Sequence, residues 1–335
     1  MALTSSEDRV HGVARRPSRS EQDDVPPDSG PAHRPTTVGP RKKRPFWHKD
    51  SFAAAFFLAP SLGGFAFFTL IPIIGSIVIA FTIWPTAGTA TWTGVDNFKN
   101  LFTTDTIFKQ SLLNTVVFVC TYVPLNIVLS LLLAVWISPR IKGRNTYRVL
   151  LFIPVVAPMI ANAAIWRIML VPNGLADSLS QTLFGVHAPN FLGEASTALG
   201  TVVIMSLWQG FGYNLMVFAS ALEAVPENLT EAAALDGAGA VRQFFSIKLP
   251  MISPAIFFGT TMTIITSFQV FAQAYVLTGG GPAFSTSTLV IWLYQQGFQY
   301  HNLGYASAIG VVLFAAILAV SGIVFGLQKK LVHYE

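Results

Sequence analysis

Residues 249–328 read LPMISPAIFFGTTMTIITSFQVFAQAYVLTGGGPAFSTSTLVIWLYQQGFQYHNLGYASAIGVVLFAAILAVSGIVFGLQ, a run of 80 positions without a Lys, Arg, Asp or Glu. About 20 apolar residues carry a helix across a ~30 Å hydrocarbon core, so this run is too long for one crossing. Gly279-Gly280-Gly281-Pro282 divides it, because those residues end helices. Two membrane spans are therefore expected here, and the rest of the chain reads the same way.

Four more charge-free intervals run from Ser51 to Val95, Gln110 to Pro139, Val149 to Trp166 and Ala195 to Leu222. Together they predict an all-α membrane protein with six spans, near 52–84, 111–137, 149–170, 198–220, 254–277 and 303–327, in one six-span domain over 52–330. Pro60, Gly63, Gly64 and Pro72 predict a kinked or tilted first span. Composition agrees: the 335 residues are 52% hydrophobic and 11% charged, where a soluble domain carries roughly 25% charged residues. Of the 37 charged side chains 17 fall in residues 1–50, and a body with so few left cannot dress a water-facing surface. The single cysteine, Cys120, excludes a disulfide scaffold.

Lys and Arg collect on cytoplasmic segments. Ten precede the first span, four (Arg140, Lys142, Arg144, Arg148) lie between spans two and three, two (Arg242, Lys248) between spans four and five, and two (Lys329, Lys330) follow the last. The opposite side holds only Lys99 and Lys109, which predicts both termini in the cytoplasm. Arg167 sits inside span three, where it either snorkels to the interface or meets a ligand. Residues 1–48 read as a disordered basic tail ending in Arg41-Lys42-Lys43-Arg44, a run suited to fixing topology and touching anionic lipid. The apolar segment after it starts too late and runs too long for a cleavable signal.

Absences narrow the chemistry. The chain has no Gly-Lys dipeptide, hence no Walker phosphate loop, and its six histidines have no metal-ligand spacing. No Asp or Glu lies in any charge-free interval, which disfavours a proton- or sodium-coupled carrier. No nucleophile or metal constellation supports a membrane hydrolase.

The loop at 223–253 is the exception to this plainness. Pro226 and Glu227 suit a helix start, Glu231-Ala232-Ala233-Ala234-Leu235 favours helix, and Gly237 can end it. A second short helix fits Val241–Phe245, with Lys248-Leu249-Pro250 as its stop. Such a hairpin either grips a partner or lies at the membrane surface under its own bundle.

Glu231-Ala232-Ala233, Gly237 and Ile247-Lys248-Leu249-Pro250 together resemble the EAA motif of bacterial ATP-binding-cassette importer permeases. Tyr275-Val276-Leu277-Thr278-Gly279-Gly280-Gly281-Pro282, Ser287-Thr288-Leu289 and Gly304-Tyr305-Ala306-Ser307-Ala308 are similar to the carbohydrate-uptake branch, relatives of the maltose and glycerol-phosphate permeases. Asn114-Thr115 and Ile165-Trp166-Arg167 add to the resemblance, which covers roughly 52–330 and leaves the tail without a counterpart. It implies that Glu231, Ala232, Ala233, Asp236, Gly237, Ile247, Leu249 and Pro250 form a coupling element seated on an ATPase subunit. The implied partners are two ATP-binding-cassette ATPases, a second permease chain of unlike sequence, an extracytoplasmic solute-binding protein, membrane lipid and a sugar, with no nucleic acid. ATP and Mg would be used by the ATPase and no cofactor bound by this chain, which is then a transport component of a bacterial plasma membrane and not an enzyme.

Sugars offer hydroxyls to hydrogen-bond and C–H faces to stack. Trp208, Gln209, Tyr213 and Asn214 in span four, with Phe268, Gln269 and Gln273 in span five, are the candidates for lining the route. Gln269 and Gln273 are four apart and are expected on one helix face. The same amides could equally join neighbouring helices. One embedded cation, Arg167, favours a neutral sugar over a phosphorylated polyol such as glycerol phosphate, the alternative cargo. A stand-alone carrier is the reading from a different class, and it has no use for a docking hairpin.

Overall fold

Inside hydrocarbon a backbone amide finds no water, so a lipid-facing chain must close its hydrogen bonds within helices. The computed structural model describes residues 50–84, 88–137 and 142–331, and apart from one two-residue hairpin its regular structure there is helical. The basic tail expected over 1–48 lies outside the described residues. The chain falls into two units: in the first, ending at Ala59, the described part is the opening of helix α1, and the second, from Pro60, holds everything else.

In order come α1 (Asp50–Phe65), a π-helical turn (Ala66–Leu70), α2 (Ile71–Ile79), the hairpin β1 (Thr82–Ile83) and β2 (Thr91–Trp92), α3 (Asp96–Thr103) and α4 (Thr106–Trp136). There follow α5 (Arg144–Val156), α6 (Met159–Leu170), α7 (Leu175–Phe184) and α8 (Ala195–Glu223). The remainder is α9 (Glu227–Leu235), α10 (Ala240–Gln243), a π turn (Phe244–Lys248), α11 (Leu249–Met251), α12 (Ser253–Phe268), α13 (Ala272–Thr278), α14 (Leu289–Tyr294), a third π turn (Gln295–Gln299) and α15 (Leu303–Leu331). The strands are antiparallel, with Thr82 opposite Trp92.

Four stretches among the described residues are long and apolar enough to cross a membrane: Ala54–Ile79, Thr106–Trp136, Ala195–Glu223 and Leu303–Gln328. Two bent pairs, Arg144–Val156 with Met159–Leu170 and Ala240–Met251 with Ser253–Phe268, bring the number to six if each pair is one span.

The bends are where the structure departs from the sequence reading. Continuous helix over 149–170 is interrupted by a 91° bend, because Pro158 pushes Ala157 into extended geometry (φ −70°, ψ 141°). Asn162 Nδ2 donates to the Pro154 carbonyl at 3.0 Å, so an acceptor at the end of α5 is satisfied. The helix expected to stop at Lys248-Leu249-Pro250 instead continues to Met251, with Lys248 and Leu249 both helical. A π turn makes this possible. The Leu249 amide bonds back to Phe244, five residues earlier, and the wider turn accommodates a proline that lacks an N–H. The same device precedes Pro72, where the Ile71 amide bonds back to Ala66.

The expected span 254–277 is also broken. Helix α12 ends at Phe268, Phe271 takes φ −139° and ψ −67°, and α13 starts afresh at Ala272. The glycine-rich segment beyond it is fastened from α4: Asn114 Nδ2 donates to the carbonyls of Phe284 and Ser287, each at 2.8 Å, and Ser111 bonds Ser287. Thr288 then caps α14 by accepting from the Ile291 amide.

Helices α4 and α8 form the centre of the second unit, packed against each other and flanked by α5, α12 and α13. Phe118, Val202, Met205, Leu215 and Phe218 are almost fully enclosed there. Asp105 ties this centre to the last helices: its Oδ1 caps α4 at the Phe108 amide, while its Oδ2 accepts from Trp292 Nε1 at 3.0 Å and Tyr305 Oη at 2.6 Å.

Candidate functional site

Two places carry the candidate residues. The first is the helix–turn–helix that joins α8 to α12. Pro226 sits at the N-cap of α9 with φ −60°, and Glu227 places a carboxylate in the first turn, where the helix dipole favours it. The turn out of α9 is a Schellman motif: the Ala238 amide reaches the Ala233 carbonyl at 2.9 Å and the Gly237 amide reaches Ala234 at 3.0 Å. It requires φ of +80° at Gly237, a conformation that glycine alone adopts without strain. Gln243 Nε2 then donates to the Ala238 carbonyl at 2.8 Å and holds α10 against the turn.

Glu231, Ala232, Asp236 and Gly237 are exposed on this hairpin, while Ala233, Ile247, Leu249 and Pro250 are half-buried on its inner side. The tip is apolar as well as open. Leu235 is 90% exposed, Val241 72% and Phe245 61%, with Phe244 turned half inward. Behind the hairpin lies a cleft of about 740 Å³ whose walls include Arg144, Arg148, Glu223, Glu227, Phe244 and Lys248. Arg144 and Arg148 both donate to Glu223 Oε1, fastening the start of α5 to the end of α8.

The second place is a polar seam inside the bundle. Asn214, 2% exposed, donates through Nδ2 to Asn126 Oδ1 at 2.7 Å and to Thr263 Oγ1 at 2.8 Å, so α8 is bonded to α4 and α12 at one point. Asn126 in turn donates to Tyr122 Oη. Gln209, also buried, donates to the Ala157 carbonyl at the α5–α6 bend, 3.2 Å away. Both amides act between helices in this arrangement, with the Asn214 Oδ1 and Gln209 Oε1 acceptors left buried and unpartnered. Trp208 and Tyr213 are exposed, and Trp208 lies 5.7 Å from Trp166, ring centre to ring centre.

Gln269 and Gln273 do not share a helix face. The break after Phe268 leaves Gln269 exposed at the end of α12 and puts Gln273 on α13, buried, with Phe268 enclosed in the core. Beside Gln273 on the chain runs an aromatic group: Phe271 stacks on Tyr275 at 5.1 Å, both meet Tyr294, and Tyr294 stacks on Phe298. Arg167 Nη1 donates to the Val276 carbonyl at 3.3 Å, a helix-to-helix bond that neither sequence alternative describes. Among the described residues no three His, Cys, Asp or Glu side chains converge to hold a metal ion.

Asn126, Thr263, Tyr294 and Phe298 were not among the candidates. The signal for Asn126 was present, since an amide inside an apolar span must find a partner in another helix. The partner itself could not be read without the packing.

Residues 126–333 match the family model described as "Binding-protein-dependent transport system inner membrane component". Similar proteins include the "Probable ABC transporter permease protein YesP" of Bacillus subtilis, 35% identical over 300 residues, covering 88% of this chain and 96% of that one. The "Arabinooligosaccharides transport system permease protein AraP" of the same organism is 33% identical, with 83% and 89% covered. The "sn-glycerol-3-phosphate transport system permease protein UgpA" of Yersinia pestis is 31% identical, with 83% and 100% covered. In fold, the chain is similar to a chain of a bacterial ABC transporter involved in the import of the acidic polysaccharide alginate, at a TM-score of 0.73 and 19% identity, with 84% and 97% covered.

Proposed function

Since the chain belongs to the family of binding-protein-dependent transport system inner membrane components, we propose that it is the permease subunit of a carbohydrate importer and that the hairpin in its loop at 223–253 couples it to a separate ATPase. The observation that carries the coupling role is the apolar tip. A hairpin made stiff by a Schellman turn holds Leu235, Val241 and Phe245 in the open, beside Glu231, Asp236 and Arg242, and such a tip fits a cleft on a partner rather than water.

Closure of two ATPase subunits on ATP would move this hairpin as a rigid lever. The α5–α6 and α11–α12 bends, at Ala157-Pro158 and Ile252, give the spans points at which to pivot between inward- and outward-facing states. A solute-binding protein would then release cargo into the open bundle. The distribution of Lys and Arg, eighteen against two, supports both termini on the cytoplasmic side of a bacterial plasma membrane. A second permease chain would complete the pathway.

A sugar is the proposed cargo because aromatic faces gather with amides: Phe271, Tyr275, Tyr294 and Phe298 near Gln273, and Trp166 with Trp208 near Gln209. Relatives named for arabinooligosaccharide and for sn-glycerol 3-phosphate leave a phosphorylated polyol as the second reading. Purification of the chain from native membranes tests the whole: an unlike permease, an ATP-binding subunit and a solute-binding protein should co-purify, and the ligand of the latter identifies the cargo. A chain that moves solute alone in proteoliposomes would overturn it.

A further inference from the structure

Helix α7 follows α6 after only four residues, Val171–Gly174, and shows an uncommon division of its faces. Its one charged residue, Asp177, is 6% exposed and turned inward. There Asp177 Oδ1 accepts from the Ala188 amide at 2.8 Å, and both of its oxygens lie 3.2 Å from His187 Nδ1, so the returning segment is clasped to the polar side. The outward side is uncharged. Leu175, Leu179 and Leu183 follow one another at intervals of four and are 53%, 50% and 69% exposed, with Phe184 and Val186 beyond them at 76% and 58%.

A helix surrounded by water has no reason to hide its only charge and display three leucines. The exposed apolar series also has a direction: along the chain it runs from Ile165 and Ile168 on the candidate span through Val171 in the turn and on to the α7 leucines, with α7 packed against α6. The exposed apolar surface of the candidate span thus extends onto the short helix. We propose that α7 is an interfacial helix, lying along the membrane surface with Leu175, Leu179 and Leu183 among the upper acyl carbons of the lipid and the Asp177–His187 clasp on its water side.

The test uses the full-length chain with its co-purifying subunits in nanodiscs of phosphatidylethanolamine and phosphatidylglycerol. Cys120 is exposed, so it is first replaced by Ser, and Leu179→Cys then carries an environment-sensitive fluorophore. The expected result is a blue-shifted emission, largely lost with lipids brominated high on the acyl chain and little affected by aqueous iodide. Quenching by iodide without quenching by brominated lipid would overturn the assignment. So would an iodide-accessible probe that becomes shielded only when the solute-binding protein is added, which would make the leucines a protein-docking face. Leu183→Cys reads the same face should Leu179→Cys fail to assemble.

Discussion

The Ala238 amide closes on the Ala233 carbonyl at 2.9 Å, across a glycine that holds φ at +80°. Together with the Gly237–Ala234 bond and the Gln243 side chain on the Ala238 carbonyl, this contact holds the turn between α9 and the helical segment that leads into α12. A Cβ at Gly237 would meet nothing within 4 Å, so the demand for glycine is conformational and not steric.

A graded effect follows at that position. Asn tolerates the left-handed region better than Ala, and a β-branched residue tolerates it least, with a strain of about 1–2 kcal/mol for a residue bearing a Cβ. Gly237→Asn should keep most transport, Gly237→Ala less and Gly237→Val least. Membrane insertion should be equal in all three. Uptake and ATPase co-purification measured side by side give the order.

Asn214 should behave as a joint between helices. Its removal leaves Asn126 and Thr263 without their donor, and buried hydrogen bonds in membrane proteins average about 0.6 kcal/mol with a maximum near 1.7. Asn214→Ala should therefore lower the melting temperature in detergent by a few degrees. The double variant with Asn126→Ala should lose less than the sum of the two, because both remove the same contact.

Two glycines of α15 offer a matched pair. A Cβ on Gly304 would sit 1.8 Å from the Thr82 carbonyl oxygen, part of the backbone, whereas one on Gly322 meets nothing within 4 Å. Gly304→Ala must displace β1 or α15 and should cost about 1–3 kcal/mol, while Gly322→Ala should be neutral or slightly stabilising. Thermal unfolding of the two variants in one detergent separates them.

The Asp177 clasp has a defined pH dependence. The Ala188 amide, and after it the hydrogen bond from His187, hold the Asp177 carboxyl below the usual carboxylate range. A carboxylate with a depressed pKa stabilises the fold above its unfolded pKa and loses that contribution as pH falls through the lowered value. Protection of the Ala188 amide from hydrogen exchange, corrected for the intrinsic rate, should hold from neutral pH into the ordinary carboxylate range and fail below it. In Asp177→Asn it should be weakened throughout.

Charge-free intervals, the last of them divided by Gly279-Gly280-Gly281-Pro282, marked out the helical membrane fold, and Pro226, Glu227 and Gly237 located the hairpin that the EAA-like string then matched. What the sequence hid are breaks inside apolar runs. Phe268-Gln269-Val270-Phe271 contains neither glycine nor proline, so nothing local announced that α12 would end there and separate Gln269 from Gln273. Pro250 announced a stop that a π turn removed. Polar partners were hidden for the same reason. Asn126 and Asn214 are 88 positions apart, and only the packing of α4 on α8 brings them within 2.7 Å.

Leu235 offers the most direct test of coupling, because it is 90% exposed at the hairpin tip. A photoreactive benzoylphenylalanine at this position, irradiated in native membranes, should form one dominant adduct, whose peptides by mass spectrometry come from an ATP-binding subunit. Adducts to lipid or within the chain itself, with no ATP-binding subunit among them, would contradict the assignment of this hairpin as the coupling element.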